Sequence, residues 1–334
     1  MINYMNNVLV IGMGQLGKCI RDAYQAYLKN LPDGESPAIT IDFASRTPED
    51  DNVIALDITN KDDFLKVVNG KGYKFIVNCS AFTNVNGANE KNEKAYTECM
   101  IVNKYCLRHV AEFCEYTGCN LIHVSTDYVF SGRDGFMREN SYNFHPVNVY
   151  GKSKIEGEEI ISKYMGVNGK YMIIRTSSLY SQYGNNFVKT MIKKFEANEN
   201  VTVITDNVSS PTNANDFAHM IVNHILVPFG KGEKEIKNGV WHFTNEGVIS
   251  WYDFAYAILE EYIKNIGPST SKVIATDSET VMKAAADRGE VIVKRPVASI
   301  LSKDKLKNEG YKIKYWKSSL NEFFVSQYKT SKIM

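Results

Sequence analysis

Two short clusters carry the residue types that move a proton: Ser125-Thr126-Asp127-Tyr128-Val129-Phe130 and Tyr150-Gly151-Lys152-Ser153-Lys154. The first follows an apolar run, Leu121-Ile122-His123-Val124, that reads as a buried strand. The second enters a helical pattern that continues through Ile155, Ile160 and Ile161. Residues four apart share a helix face, so Tyr150 and Lys154 point the same way. A free phenol titrates near ~10 and gives up its proton reluctantly at neutral pH. A nearby ammonium favours the phenolate, so the spacing predicts a phenol whose pKa Lys154 lowers into the range of a general acid. The hydroxyl of Thr126 or Ser125 would orient the same substrate oxygen. A second Tyr-x-x-x-Lys, Tyr328 to Lys332, sits in a polar tail with no strand before it and reads as chance.

Strands alternating with helices must position these groups. Val8-Leu9-Val10-Ile11 is followed by Gly12-Met13-Gly14-Gln15-Leu16-Gly17 and a helical stretch from Lys18 to Leu28. In that context Gly-x-Gly-x-x-Gly signals dinucleotide binding, because glycines let the backbone turn tightly and approach a pyrophosphate at the helix N-terminus. The alternative is a plain tight turn. The second strand, Ala38 to Phe43, leads into Ala44-Ser45-Arg46. An acid at its end would bind the ribose of NADH, whereas arginine suits the extra phosphate of NADPH. Ser45 and Arg46 lean to NADPH, and Asp42 leaves NADH open.

Further strands, Val53 to Leu56 and Phe75 to Cys79, open into Asp57-Ile58 and Ser80-Ala81-Phe82. A long helix from about Glu93 to Tyr116 carries Asn103. After the Tyr150 helix come a strand, Tyr171 to Arg175, a helix, Ala214 to Leu226, a strand, Gly239 to Phe243, and a polar region reaching Lys294. Strands apolar almost throughout argue a parallel sheet covered on both faces, with ligands at the strands' carboxyl ends. The expected fold is α/β, a Rossmann-like doubly wound parallel sheet with a smaller, interleaved C-terminal substrate lobe. Residues 1–176, with returns at about 213–245, would form the dinucleotide domain, and 177–212 with 246–330 the substrate lobe.

The 334 residues are 44% apolar and 23% charged, with a formal charge of +1, so nothing marks a nucleic-acid or anionic-membrane partner. Apolar runs stop far short of the ~20 residues a bilayer span needs. Met1 to Asn7 has neither a basic nor an apolar leader region and the six cysteines lack paired spacing, so reduced thiols in the cytoplasm are the expectation. His219 and His224 are five apart, off the four-residue spacing of a zinc pair, so no metal is implied. His123 reads as a satisfied core histidine.

The pieces in order resemble the dTDP-4-dehydrorhamnose reductase family, within the extended short-chain dehydrogenase/reductases. The matching stretches are Gly14-Gln15-Leu16-Gly17, Ser125 to Phe130, Pro146 to Lys154, Gly184-Asn185-Asn186-Phe187, Trp241 to Gly247 with Ser250-Trp251, and Arg295-Pro296. The resemblance implies reduction of the C4 ketone of a dTDP-linked 4-keto-6-deoxyhexose, on the way to cell-surface polysaccharide. Tyr150 would donate the proton, Lys154 would tune it and hold the nicotinamide ribose, and Thr126 would bond near the ketone. Gly12, Gly14, Gln15, Leu16, Gly17, Ser45, Arg46, Asp42, Asp57, Ile58, Ser80, Ala81, Phe82 and Asn103 would line the cofactor. Asp127, Phe130, Asn148, Ser178, Asn186 and Arg295 would line the sugar nucleotide. A homodimer is compatible with the resemblance.

Three features depart from the family pattern. The glycine turn is one residue short, Val85-Asn86-Gly87-Ala88-Asn89 replaces Val-Asp-x-Ala-Glu, and Ser178 stands where a tryptophan commonly packs on the sugar. Two alternatives share the scaffold. A sugar-nucleotide dehydratase or epimerase would want a glutamate after Asp127, where this chain has Tyr128. A non-catalytic regulatory subunit, resembling the methionine adenosyltransferase beta subunit, would not need Thr126, Tyr150 and Lys154 together.

Overall fold

The computed structural model describes residues 6–133, 135–166 and 169–329; Lys332 of the second Tyr-x-x-x-Lys lies outside them. Seven strands form one parallel sheet: β1 (Asn6–Ile11), β2 (Ile39–Ser45), β3 (Val53–Ala55), β4 (Phe75–Asn78), β5 (Asn120–Thr126), β6 (Tyr171–Thr176) and β7 (Gly239–His242). Their spatial order is β3-β2-β1-β4-β5-β6-β7, so the chain reverses direction across the sheet between β1 and β4. That reversal opens a crevice at the carboxyl ends, where such sheets bind ligands. The fold is the Rossmann-like α/β architecture.

The strands are apolar on both faces because both faces are covered. Val8 and Val10 pack toward the Gln15–Lys29 helix and the helical stretch after Ala214. Leu9 and Ile11 pack toward the Lys61–Val68, Leu107–Thr117 and Val149–Met165 helices. All four are at most 1% exposed, and burying each such side chain contributes about 1.5–3 kcal/mol relative to solvent. A separate apolar cluster joins the Phe187–Glu196, Trp251–Asn265 and Trp316–Phe324 helices around Tyr180, Phe254 and Phe323. The second of these helices starts with a capping box between Ser250 and Asp253. A four-stranded sheet of Phe136–Met137, Val208–Ser209, Ile249–Ser250 and Ala298–Leu301 reaches the end of β5, where Ser299 approaches Asp127.

Several elements differ from expectation. Strand β2 runs two residues further, to Ser45, and the first helix begins at Gln15, directly after Gly14 as N-cap. The long helix is broken: Glu93–Met100 passes through a π-helical turn, Ile101–Tyr105, into Leu107–Thr117. The helix from Ala214 likewise contains a π segment, Met220–Leu226, and continues to Gly230. The polar region before Lys294 holds a strand, Val273–Thr276, and a helix, Ser278–Asp287, capped by the Asp277 carboxylate. Neither buries enough apolar surface to leave a periodic pattern; Ala285 is the helix's buried residue.

Candidate active site

The glycine turn after β1 is shaped by close approach. Gly12 has φ +99°, and a Cβ there would stand 2.7 Å from the Ser80 backbone nitrogen. A Cβ on Gly17 would overlap the Gly12 carbonyl, so this glycine lets the helix start rest on the strand end. Gly14, the helix N-cap, meets nothing within 4 Å and leaves the first turn open to an adjoining cavity of about 890 Å³. Gly12, Gly14, Gln15 and Leu16 line that cavity at one end, with Ser45 and Arg46 at the tip of β2. Asp57 and Ile58 after β3, and Ser80, Ala81 and Phe82 after β4, line its floor. Thr126, Asp127, Tyr150, Lys154 and Ser178 line the other end.

The near end fits a phosphorylated dinucleotide. An uncapped helix N-terminus behind a glycine with open space favours a pyrophosphate. The Arg46 guanidinium, 63% exposed, reaches Glu98 at 3.4 Å, and the Ser45 hydroxyl accepts the Thr47 N–H. Asp42 is elsewhere, contrary to expectation. It lies three residues before the strand end and faces solvent, and its carboxylate accepts the Tyr73 hydroxyl at 2.7 Å. Asn103 is also not a lining residue. Its buried amide accepts the Phe82 N–H at 2.9 Å and donates to the Phe82 carbonyl and to Ser153 Oγ, so it positions the loop after β4.

The far end is built by the start of the Val149–Met165 helix. The Asn148 side chain accepts the Gly151 N–H at 2.8 Å as N-cap, and its amide donates to the Lys294 carbonyl. A Cβ on Gly151 would overlap the Tyr128 carbonyl, so the helix start lies directly on the turn that follows β5. This contact aims Tyr150 at strand β5. Its hydroxyl lies close enough to the Thr126 side chain for that hydroxyl to act on its acidity, and its ring meets Tyr128 edge-on, with centroids 5.7 Å apart. Thr126 Oγ1 donates in turn to Asp127 Oδ1 at 2.9 Å, and Ser177 Oγ donates to the other carboxylate oxygen.

Lys154 is fully buried, one turn further along. Its Nζ donates to the Val124 carbonyl at 2.7 Å and lies 3.1 Å from His123 Nε2. Burial pushes its pKa down to about 8, against the pull of Glu158. The expected lowering of the phenol does not occur in this arrangement. Burial, then the neighbouring Asp127, raises the Tyr150 pKa; only the nearby Thr126 hydroxyl opposes them. The ammonium faces the sheet rather than the phenol. Burial also raises Asp127, opposed by its hydroxyl partners.

Four expected sugar contacts lie outside the cavity lining. Phe130 is core, packed with Val129, Met137, Ile155 and Leu301, and under the Arg175 guanidinium. The short turn Asp127–Val129 rotates it inward. Asn148 and Asn186 are helix N-caps; Asn186 also donates to Gln15 Oε1 at 2.9 Å, tying the glycine turn to the Phe187–Glu196 helix. Arg295 stands near the Tyr128 hydroxyl, where its charge opposes the effect of burial. Ser178 does line the cavity, with a left-handed φ of 47° and its Oγ 2.9 Å from Ser209 Oγ. Sequence reasoning missed Tyr128, Glu98, Thr47 and Ser177 as lining groups. Thr47 was findable beside Ser45-Arg46, but only tertiary packing brings Glu98 to Arg46.

The family profile of the RmlD substrate binding domain matches residues 6–329. A dTDP-4-dehydrorhamnose reductase of Aggregatibacter actinomycetemcomitans is 32% identical over 289 residues, 85% of this chain and 90% of that protein. The chain belongs to the dTDP-4-dehydrorhamnose reductase family. A dTDP-4-keto-6-deoxy-D-glucose reductase of Streptomyces niveus is also 32% identical, over 80% of this chain and 85% of its own length. Among solved structures, a dTDP-4-dehydrorhamnose reductase from Bacillus anthracis in complex with NADP superposes with a TM-score of 0.75. It is 30% identical and covers 96% of this chain and 99% of its own.

Proposed function

We propose that this protein is an NADPH-dependent oxidoreductase that reduces the C4 ketone of dTDP-4-dehydro-L-rhamnose to dTDP-L-rhamnose, with Tyr150 as proton donor. The observation that carries the reading is the Tyr150–Thr126 hydroxyl pair in the cavity whose other end is the Gly14 helix start. Family membership supplies the substrate class. Among the described residues, no helix is long and apolar enough to cross a membrane.

When bound, the nicotinamide supplies hydride to the carbonyl carbon. The chain's own residues handle the oxygen. Thr126 and Tyr150 present two hydroxyls to it, which orients the ketone and stabilises charge as it builds. A raised phenol pKa suits this task. Tyr150 stays protonated in the resting enzyme, and the nascent alkoxide is about as basic as hydroxide, whose conjugate acid titrates near ~15.7. Transfer from phenol to alkoxide is therefore downhill even from a buried tyrosine. Lys154, at about 8, keeps its proton at neutral pH on an amine bonded to the Val124 carbonyl, and would hold the nicotinamide ribose. Gly12, Gly14 and Arg46 would hold pyrophosphate and phosphate. Asp127 and Ser178 would face the sugar.

Asp127 is followed by Tyr128, whose hydroxyl burial pushes up to about 12, so the turn after β5 carries a phenol where a dehydratase would want its second carboxylate. The open position at Ser178 leaves the hexose configuration to experiment, and the Streptomyces relative gives the second substrate to try. Purified protein with NADPH and either dTDP-linked 4-keto sugar should oxidise the cofactor and yield the 6-deoxyhexose. Tyr150→Phe should bind NADPH normally and lose about 10²–10⁴-fold in kcat; undiminished turnover in that variant overturns the assignment. We further propose a cytoplasmic homodimer, checked by fractionation and by the mass of the purified protein in solution.

A further inference from the structure

The Lys154 side chain ends in a buried polar chain that proton donation to a ketone does not require. Asn78 and His123 face each other across the β4–β5 register, with Asn78 Nδ2 3.2 Å from His123 Nδ1. The other imidazole nitrogen lies 3.1 Å from Lys154 Nζ. Asn78 and His123 are at most 1% exposed. The Asn78 amide cannot be read the other way round. Its Oδ1 is 3.0 Å from the backbone nitrogen of Ser80, an obligatory donor, so this atom is oxygen and the one facing His123 is NH2. His123 Nδ1 must then accept, which leaves the imidazole proton on Nε2, pointing at Lys154.

We propose that His123 is a positioning residue that fixes the proton state of Lys154, through the ordered chain Asn78 Nδ2–H to His123 Nδ1 and His123 Nε2–H to the Lys154 amine. Protonating Lys154 turns the contact into donor against donor, and the imidazole can yield only by giving up Asn78. The contact thereby favours the amine form of Lys154, which donates to Val124 and accepts from His123, and so lowers the pH at which the ammonium gives up its proton. The downward shift of both His123 and Lys154 has the same sense. The other groups facing Lys154 are Cys79 at the end of β4, Cys99 and Cys106 on the helical stretch from Glu93, and Glu158 on its own helix. Glu158 is neutralised by Arg175 at 2.6 Å, and burial keeps the three thiols protonated.

The role in turnover rests on the reductase reading; the tautomer does not. Full-length protein labelled with ¹⁵N-histidine, with His123→Asn used for assignment, should show His123 as the neutral Nε2–H tautomer from about pH 6 to 8. An Nδ1–H tautomer or an imidazolium overturns the proposal whether or not the protein turns over substrate. In turnover, His123→Asn keeps an acceptor for Asn78 and removes the donor to Lys154. The alkaline limb of kcat/KM should move up by about one pH unit. His123→Gln, whose amide N–H can still reach Lys154, should return the limb to the wild-type position. An unmoved limb in His123→Asn, or equal shifts in both variants, refutes the assignment.

Discussion

Cofactor choice gives a prediction whose size follows from the geometry at the tip of β2. Arg46 is exposed and held by a single carboxylate, Glu98, at 3.4 Å. An exposed pair of this kind is worth about 0–1 kcal/mol. A guanidinium contact to a phosphate is worth about 1.5–3 kcal/mol, and the Glu98 pair must be given up to make it. The net preference for the phosphorylated cofactor is then about 1–2 kcal/mol, or roughly 5- to 30-fold in affinity. Arg46→Ala should weaken NADPH binding by that factor and leave NADH unchanged, because Asp42, turned toward Tyr73, contributes nothing at the ribose. Glu98→Gln should act the other way, tightening NADPH by the fewfold that breaking the pair had cost. Fluorescence titration of both cofactors against the variants measures this. Equal loss of NADPH and NADH in Arg46→Ala would refute the reasoning, since it would place Arg46 on a group common to the two.

Three further outcomes follow from buried features. Glu158→Gln leaves the Arg175 guanidinium, 1% exposed, without its counter-ion and should lower stability by about 3–5 kcal/mol in urea unfolding. Gly12→Ala, at φ +99° and against the Ser80 backbone, should cost about 1–3 kcal/mol in strain and weaken cofactor binding more than it weakens folding, both read by titration and melting. Lys154 has a folded pKa of about 8 against 10.5 for the free side chain, so the unfolded chain binds the extra proton between those values. Its contribution to stability therefore grows as pH rises from about 8 to 10.5. The stability of the wild type relative to Lys154→Met should climb across that window; a flat difference contradicts the burial of an amine.

The strands were legible because a sheet covered on both sides demands uninterrupted apolar runs, and Val8–Ile11 and Phe75–Val77 are such runs. The Tyr150–Lys154 spacing and the glycine turn were legible because each is set by local geometry. What escaped was set by contact at a distance. The π turn at Ile101–Tyr105 adds a residue without disturbing composition, and Asp42 and Ser45 differ only in how far β2 continues. Phe130 sits in a motif of functional residues yet is rotated into the core by the turn before it. The one-turn spacing put Lys154 on the correct face but could not say that its amine would bond to the sheet, leaving the phenol shielded from its charge.

Strand β7 closes the far edge of the sheet, yet it is encoded well after β6, with the Phe187–Glu196 helix and the helical stretch after Ala214 between them. During synthesis the ribosome must release the chain past His242 before β6 gains its last neighbour. Until then Tyr171–Thr176, with Met172, Ile173 and Ile174 in its middle, shows an unpaired edge of the kind that recruits foreign strands. Nascent protein halted short of β7 should thus be the species that needs chaperones, and expression trouble in truncated forms should begin there.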